Sequence, residues 1–541
     1  MTLNTVAART PNGISLFENL SLSLGRQRVG VVGRNGVGKS TLFRLIAGEM
    51  APASGTITRH ARVGVLHQAY VPESDEAVAQ TLGLTEALAV IARVIAGEAS
   101  EDDLAEADWT LEARIEASLA NVGLSGLSLD RSSRELSGGE LTRLRLARLM
   151  IEASDLILLD EPTNHLDQAA KALVYRMVEN WTGGLVVISH DRELLRRMDR
   201  IIELSSLGTR AYGGNWDDYV ARRDLEQATA QRALDQAERS LVETEREAQS
   251  AAERQARRDR AGKAARAGSS DPKLMLDRQA ERAEQSAGRG ARLAQRQQDV
   301  AQTRLTEARQ QVMRVNPLPM ALPSPVLPQG RMVLELSGAG LSTPEGRVLI
   351  QPLELKLTGP ERIAITGPNG GGKTCLLRMM AGEVAATQGE VRRAVPSAYL
   401  DQSVSLLDPD LSLIGNWMAH NQGGTGHQAH AALARFGFRN IAASKLARDL
   451  SGGERLRAGL ACVMTGDETV SLILLDEPTN HLDLKAIEAL EQVLRDYRGA
   501  LVVVSHDRDF LEAIGIEREI YVASGRAVEG NSAAITGGGA T

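Results

Sequence analysis

The sequence predicts an α/β protein: two P-loop domains in tandem, joined by a long antiparallel α-helical hairpin. Three observations carry this. A repeat of whole-domain length runs through the chain, each copy sets a glycine-rich motif between an apolar strand and a helical pattern, and the copies are separated by a polar stretch with heptad spacing. At 541 residues the chain exceeds what a single core usually organises. GRNGVGKST, Gly33 to Thr41, recurs as GPNGGGKTC, Gly367 to Cys375, and LSGGE at 136–140 recurs at 450–454. LILLDEPTNHLD at 156–167 recurs at 472–483, and VISHDR at 187–192 recurs as VVSHDR at 503–508. Four motifs in one order, twice, assign residues 1–215 and 331–531 to equivalent domains. The Lys39-to-Lys373 offset is 334 and the Glu161-to-Glu477 offset 316, so the first copy carries 18 more residues between those points.

Composition narrows the class. Aromatics make up 3% of the chain, so the cores must rest on Leu, Val, Ile and Ala. The two cysteines, Cys375 and Cys462, have no partner at metal-ligand spacing, which argues against a disulfide framework or zinc site and fits a reducing, cytoplasmic setting. No basic segment followed by an apolar one opens MTLNTVAARTPNG, so no signal peptide is expected. The most apolar helical stretch, Ala87 to Gly97, is short and broken by Arg93, which excludes a membrane channel.

Residues 216–315 read as two helices. Small or apolar residues fall at 4,3 spacing at Ala230, Leu234, Ala237, Leu241, Thr244, Ala248 and Ala251, and again at Ala294, Gln298, Ala301, Leu305, Ala308, Val312 and Val315. Two such helices in one chain fold back most simply as an antiparallel hairpin. A first arm over 217–262 would span about 65–70 Å at 1.5 Å per residue. From Arg254 to Arg296 there are 12 Lys and Arg against 5 Asp and Glu, whereas from Arg222 to Glu253 the count is 5 against 8. The tip, about 254–296, is therefore basic although the net charge is −7. A strap over 316–330 follows, with five prolines between Asn316 and Pro328, and residues 532–541 form a Gly-rich tail.

The chemistry begins at G-x-x-x-x-G-K-[ST]. The strands VGVVG at 29–33 and IAITG at 363–367 lead into it and a helical pattern follows, which is the context a P-loop requires. Gly33, Gly36 and Gly38, with Gly367, Gly370 and Gly372, let backbone amides close around phosphate beside a helix N-terminus. Asn35, Thr41, Asn369 and Cys375 complete the two ATP-binding loops. Lys39 and Lys373 are placed for the β- and γ-phosphates, and Ser40 and Thr374 for Mg²⁺. LILLD reads as a buried parallel strand ending in Asp160 or Asp476, a Mg²⁺-holding position; Glu161 or Glu477 next to it can polarise water as general base.

The series of P-loop, Gln, LSGGE, LILLDE, LD and SH resembles the ATP-binding-cassette family over about 400 residues in two copies. The resemblance implies the full fold class: α/β, two P-loop ATP-binding-cassette domains and an α-helical hairpin linker. It implies head-to-tail pairing within one chain, with Ser137, Gly138 and Gly139 clasping the ATP at Lys373, and Ser451, Gly452 and Gly453 the ATP at Lys39. Gln68 and Gln402 match the Q-loop glutamines near Mg²⁺, His190 and His506 the switch histidines, and Asp167 and Asp483 the D-loop. The family usually stacks adenine on an upstream aromatic. VAARTPNG and LSTPEGRV contain none, and Phe17, the nearest, has the setting of a strand core position.

Two cassettes in one chain, a long charged linker and the DEPTNHLD and SHDR spellings resemble, more narrowly, the ABC-F family of translation factors. That implies an ATPase with two composite sites, ATP and Mg²⁺ as cofactors and no other metal. The implied partner is the ribosome, bound near the tRNA exit site, with the linker reaching 23S rRNA and the P-site tRNA and no membrane involved. Arg257, Arg258, Arg260, Lys263, Arg266, Lys273 and Arg278 are the expected RNA-contacting cations, through salt-sensitive, shape-driven binding. A family arm in the first cassette would be small here, around Glu73–Leu104, since Gln68 to Ser137 spans 69 residues against 49 from Gln402 to Ser451. The rival classes are a transporter's ATPase subunit, for which the hairpin has no evident role, and a DNA-repair type ATPase, which carries its coil inside one cassette.

Overall fold

The computed structural model describes residues 1–530 except 11–12, 14, 68–75, 153, 206–207, 268–291, 310, 312–321, 324 and 467, and leaves out the side chains of 259 and 262–267. Gln68, Lys273, Arg278, Val312, Val315, the first part of the strap and the tail lie outside the described residues, as do the side chains of Lys263 and Arg266. The chain divides into two compact units: Met1–Asp217 with Leu318–Thr541, and Asp218–Pro317.

In the first unit the repeat is a repeat of topology. The first copy contains β1 (Thr2–Arg9), β2 (Ser15–Ser23), β3 (Arg28–Gly33), β4 (Ser54–Thr58), β5 (Val63–Leu66), β6 (Leu156–Asp160), β7 (Gly184–Ile188), β8 (Arg200–Ser205) and β9 (Gly208–Gly213). Their order is β5-β6-β7-β3-β8-β9 in a six-stranded sheet and β2-β1-β4 in a three-stranded one. The second copy runs β10 (Met332–Ser342), β11 (Val348–Thr358), β12 (Arg362–Thr366), β13 (Gln388–Arg393), β14 (Ser397–Leu400), β15 (Leu472–Asp476), β16 (Ala500–Val504), β17 (Arg518–Ala523) and β18 (Arg526–Gly530). It orders them β14-β15-β16-β12-β17-β18 and β11-β10-β13, the same two sheets.

Five of the six strands in each large sheet are parallel, and the last pairs antiparallel. Parallel sheets are covered on both faces, which is why LILL and GLVVI are apolar and every residue of β6 and β7, Asp160 included, is buried. Replacing Leu158 by Ala would leave a cavity worth about 2–5 kcal/mol. The pairing also levels the strand ends. Asp160 lies opposite Ile188, and Ile188 opposite Val31, so the loops after β3, β6 and β7 open at one edge. Ligands of doubly wound sheets bind at that carboxyl edge.

The excess residues of the first copy appear as helices. Thr85–Ala96 and Glu101–Glu106 are joined by the Arg93–Asp103 ion pair at 2.6 Å; they begin inside the 73–104 expected for the arm and end two residues past it. Its Ser100 closes a capping box with Asp103.

The second unit is helical. The first arm runs Trp216–Ala267, 52 residues, longer than the 217–262 expected; at 1.5 Å per residue it spans about 78 Å. The Gly and Ser residues that suggested an earlier end begin only at Gly262, and a single glycine costs a helix about 1 kcal/mol, too little to stop it. A second helix covers 292–309. Ala237, Leu305 and Ala308 are buried together with Leu234 and Leu241 against them, and Arg309 donates to Glu238 at 3.3 Å. Ala230, Leu234, Ala237, Leu241, Thr244 and Ala248 are shielded in the expected register, as are Ala294, Gln298, Ala301, Leu305 and Ala308. Ala251 departs from it and is exposed. Arg257, Arg258 and Arg260 are exposed as well, in keeping with a solvated basic end.

Candidate active sites

Each P-loop is a turn that only glycine permits. Gly38 and Gly372, with φ 103° and 105°, cap the helices Lys39–Ala47 and Lys373–Ala381. A Cβ on Gly38 would lie 3.2 Å from the Phe17 ring, and one on Gly372 would lie 2.8 Å from Ile350 Cδ1. Phe17 is therefore a buried floor under the first P-loop, the core position its strand setting suggested. Lys39 Nζ donates to Gly33 O at 2.7 Å and contacts His190 Nε2 at 3.2 Å; Lys373 Nζ donates to the carbonyls of Gly367 and Pro368 at 2.9 and 3.0 Å. Burial lowers the pKa of both lysines, against the nearby carboxylates that hold them protonated.

Ser40 hydrogen-bonds Asp160, and Thr374 hydrogen-bonds Asp476. A hydroxyl and a carboxylate brought together at the strand edge form the hard-oxygen set that suits Mg²⁺. Burial raises the pKa of both aspartates. Glu161 and Glu477 follow, with φ of 50° and 45°, in the left-handed region where a non-glycine residue is strained. In both copies the carboxylate lies near the histidine of SHDR: Glu161 Oε1 is 3.3 Å from His190 Nε2, and Glu477 Oε1 is 3.5 Å from His506 Nε2. Burial pushes the carboxyl of Glu161 up to about 8 and that of Glu477 up to about 7, values suited to a general base. Burial, with a nearby lysine, holds His190 well below its usual range and His506 down to about 4. Nδ1 of His190 and Nε2 of His506 are buried without a hydrogen-bond partner among the described residues, polar atoms that a phosphate or attacking water could satisfy.

LSGGE is a capping box. Ser137 Oγ accepts from Glu140 N, and the Glu140 carboxylate accepts from Ser137 N at 2.8 Å; Ser451 and Glu454 repeat this. Gly138 and Gly139, like Gly452 and Gly453, open the helices Gly138–Ile151 and Gly452–Met464, so each signature presents a helix N-terminus, where anions are favoured. In SHDR, Ser189 Oγ accepts from Asp191 N and Asp191 caps the next helix; Ser505 and Asp507 do the same.

The two copies meet head to tail. Asn35 N donates to Asp483 Oδ2 at 3.0 Å and Asn35 Nδ2 to His481 O at 2.9 Å. Asn369 N donates to Asp167 Oδ2 at 3.3 Å and Asn369 Nδ2 to His165 O at 2.7 Å. The other oxygen of each aspartate caps its own helix, accepting from Ala486 N or Ala170 N. Each D-loop carboxylate thus fastens its helix to the opposite P-loop. His165 and His481, both at positive φ, touch between the two with ring centroids 5.1 Å apart. Both histidines belong to the repeated TNHLD, so the repetition itself could have marked them.

A cavity of about 970 Å³ brings Asn35, Lys39, Ser40, Asp160, Glu161 and His190 together with Ser451 and Gly452 of the other copy. A second, of about 620 Å³, gathers Lys373, Thr374, Cys375, Gln402, Asp476 and Glu477 with His165. Ser137, Gly138 and Gly139 are not among its lining residues. Arg347 and Val348 are, from the LSTPEGRV stretch where the sequence offered no aromatic.

Two P-loop domains facing head to tail, each with an acidic strand end, a switch histidine and a capped signature helix, define a paired ATP-binding-cassette ATPase. A family model described as ABC transporter matches residues 17–164 and 350–480. The chain belongs to the ABC-F family of tandem cassette proteins. It is 31% identical to the tylosin resistance ATP-binding protein TlrC of Streptomyces fradiae, over 94% of each chain. It is 32% identical to the energy-dependent translational throttle protein EttA of Escherichia coli (strain K12), over 98% of this chain and 94% of that one. Among solved structures the RNase-L Inhibitor shares the fold, with a TM-score of 0.60 at 18% identity, covering 98% of this chain and 90% of that one. Among the described residues no helix is long and apolar enough to cross a membrane.

Proposed function

We propose that this chain is an ABC-F ATP hydrolase with two composite sites, which binds the ribosome near the tRNA exit site when ATP closes the cassettes and acts on translation through its hairpin. The observation that carries the composite sites is the reciprocal fastening of each P-loop asparagine to the opposite D-loop aspartate. Lys39 and Lys373 bind the phosphates, and Ser40, Asp160, Thr374 and Asp476, with Gln68 and Gln402, hold Mg²⁺. Glu161 and Glu477 activate water, and His190 and His506 orient it. Ser137–Gly139 and Ser451–Gly453 clasp the ATP held by the other cassette. Hydrolysis removes the γ-phosphate that bridges the cassettes, and they part.

On this reading residues 1–215 and 331–531 are the motor and 216–315 the effector, working as a monomer in the cytoplasm. The exposed Arg257, Arg258 and Arg260, with the neighbouring tip cations, meet 23S rRNA and the P-site tRNA through phosphate contacts. The names of two relatives, a translational throttle and a tylosin resistance protein, support an action on translation. The test is co-sedimentation of Glu161→Gln with Glu477→Gln with purified 70S ribosomes across a salt series. ATP-dependent pelleting that weakens with salt is expected; no pelleting under any nucleotide condition would refute the ribosome reading.

A further inference from the structure

The interface between the cassettes is lopsided. Through the segments that follow the catalytic glutamates, residue n of the first copy matches n + 316 of the second, as Glu161 matches Glu477. Beside the Lys39 site, Arg192 Nη1 donates to Glu491 Oε1 at 2.7 Å, with both side chains 10% exposed. The matching pair, Arg508 two residues past His506 and Tyr175, holds no carboxylate: the Tyr175 hydroxyl donates to Asp191 instead, Arg508 faces the Gln168 amide, and Tyr175, Gln168 and Arg508 line the larger cavity. Lys485, two residues past Asp483, lies 3.8 Å from Glu203; its counterpart is Ala169, and sheet register matches Glu203 with Tyr521. Arg196 forms a two-pronged pair with Asp509 at 2.9 and 2.7 Å, whereas the matching positions, Glu512 and Glu193, are both acidic.

The signatures differ in the same sense. Ser451 and Gly452 are half-buried and line the Lys39 cavity, while Ser137 and Gly138 are exposed and do not line the Lys373 cavity. Charge-assisted hydrogen bonds withdrawn from solvent are stronger and less screened than exposed ones, so parting the cassettes meets more resistance on the Lys39 side. We infer that the Lys39 site is the retaining site, keeping its nucleotide while the Lys373 site opens and exchanges, with Arg192–Glu491 as the latch. This rests on the ATPase reading above and assigns the two sites different duties within it.

The experiment uses the full chain carrying Glu161→Gln and Glu477→Gln, loaded with radiolabelled ATP and Mg²⁺ and chased with excess unlabelled ATP. Two release phases are expected, at least about tenfold apart in rate, or about 1.4 kcal/mol. Adding Lys39→Ala should remove the slow phase and adding Lys373→Ala the fast one. Glu491→Gln should speed the slow phase alone, and the exchanged pair Arg192→Glu with Glu491→Arg should restore it. Release in one phase from both sites, loss of the slow phase with Lys373→Ala, or a slow phase unmoved by Glu491→Gln would overturn the assignment. A chain that retains no ATP at either site would overturn the ATPase reading as well, an outcome distinct from equal retention at both.

Discussion

The two nucleotide sites carry nearly the same letters and differ in what surrounds them. LILLDEPTNHLD is identical in both copies, yet four residues past its final aspartate the first copy has Lys171 and the second Ile487. Lys171 pairs with Asp191 at 3.4 Å and draws down the pKa of Glu477 across the interface; no such cation acts on Glu161 from position 487. Burial is the main influence on both, pushing Glu161 up to about 8 and Glu477 up to about 7, and Lys171 pulls against it at Glu477. A motif fixes which groups are present. The next helical turn, contributed partly by the opposite cassette, acts on how readily such a group ionises, as Lys171 does on Glu477.

The largest effect should come from erasing both bases. Glu161→Gln with Glu477→Gln should lower the ATPase rate by about 10²–10⁴-fold while leaving ATP bound, whereas each single variant should lose only part of the turnover. A single variant with full activity would show that its site contributes nothing. Next is the pH dependence of the single variants. A general base works ionised, so the rate should fall as pH drops below its pKa. With only one site intact, that fall should begin near neutral pH, well above the range of an ordinary carboxylate, because burial raises both glutamates. Lys171→Met removes a cation that lowers Glu477, so it should shift the Lys373-site profile to higher pH; an unmoved profile would show that Lys171 does not act on this glutamate.

Smaller effects probe the fastening. Asp483→Ala and Asp167→Ala each delete a helix cap and a cross-cassette bond, costing about 1 kcal/mol and lowering the melting temperature by about 2–4 °C. Asp483 should matter more, since its bond to the P-loop is shorter, 3.0 Å against 3.3 Å. The smallest effect is a labelling rate. Cys375 lines the open Lys373 cavity, whereas burial pushes the Cys462 thiol up to about 12 and hides it. Thr41→Cys in a Cys375→Ala background places a thiol at the matching position of the Lys39 site. Cys375 should react about threefold to tenfold faster than that cysteine, as follows from easier access to the site that opens.

Much of this was legible in the sequence because the signals are local. The P-loops, LILLD and the capping-box serines are read within a few residues, and the hairpin seam follows from spacing alone, from Ala230 to Ala248. The expected seam fails at Ala251, which is exposed, because spacing does not say where the opposing helix lies. Arg192–Glu491 was not legible: 299 residues separate the partners, and either side chain read alone is an ordinary surface charge. The strain at Glu161 and Glu477 was also hidden, since nothing in DEP signals a positive φ. Asp167 and Asp483 were found by family resemblance, but that each holds a helix cap in one oxygen and the opposite P-loop in the other required the packed sheets.

The most direct test is a cryo-electron microscopy reconstruction of the double Glu→Gln protein with ATP on the 70S ribosome. Two ATP molecules, each between one P-loop and the opposing signature, with the basic hairpin tip against RNA beside the P-site tRNA, is the predicted result. Cassettes lying apart with ATP held by the P-loops alone, or a hairpin tip touching no RNA, would contradict it.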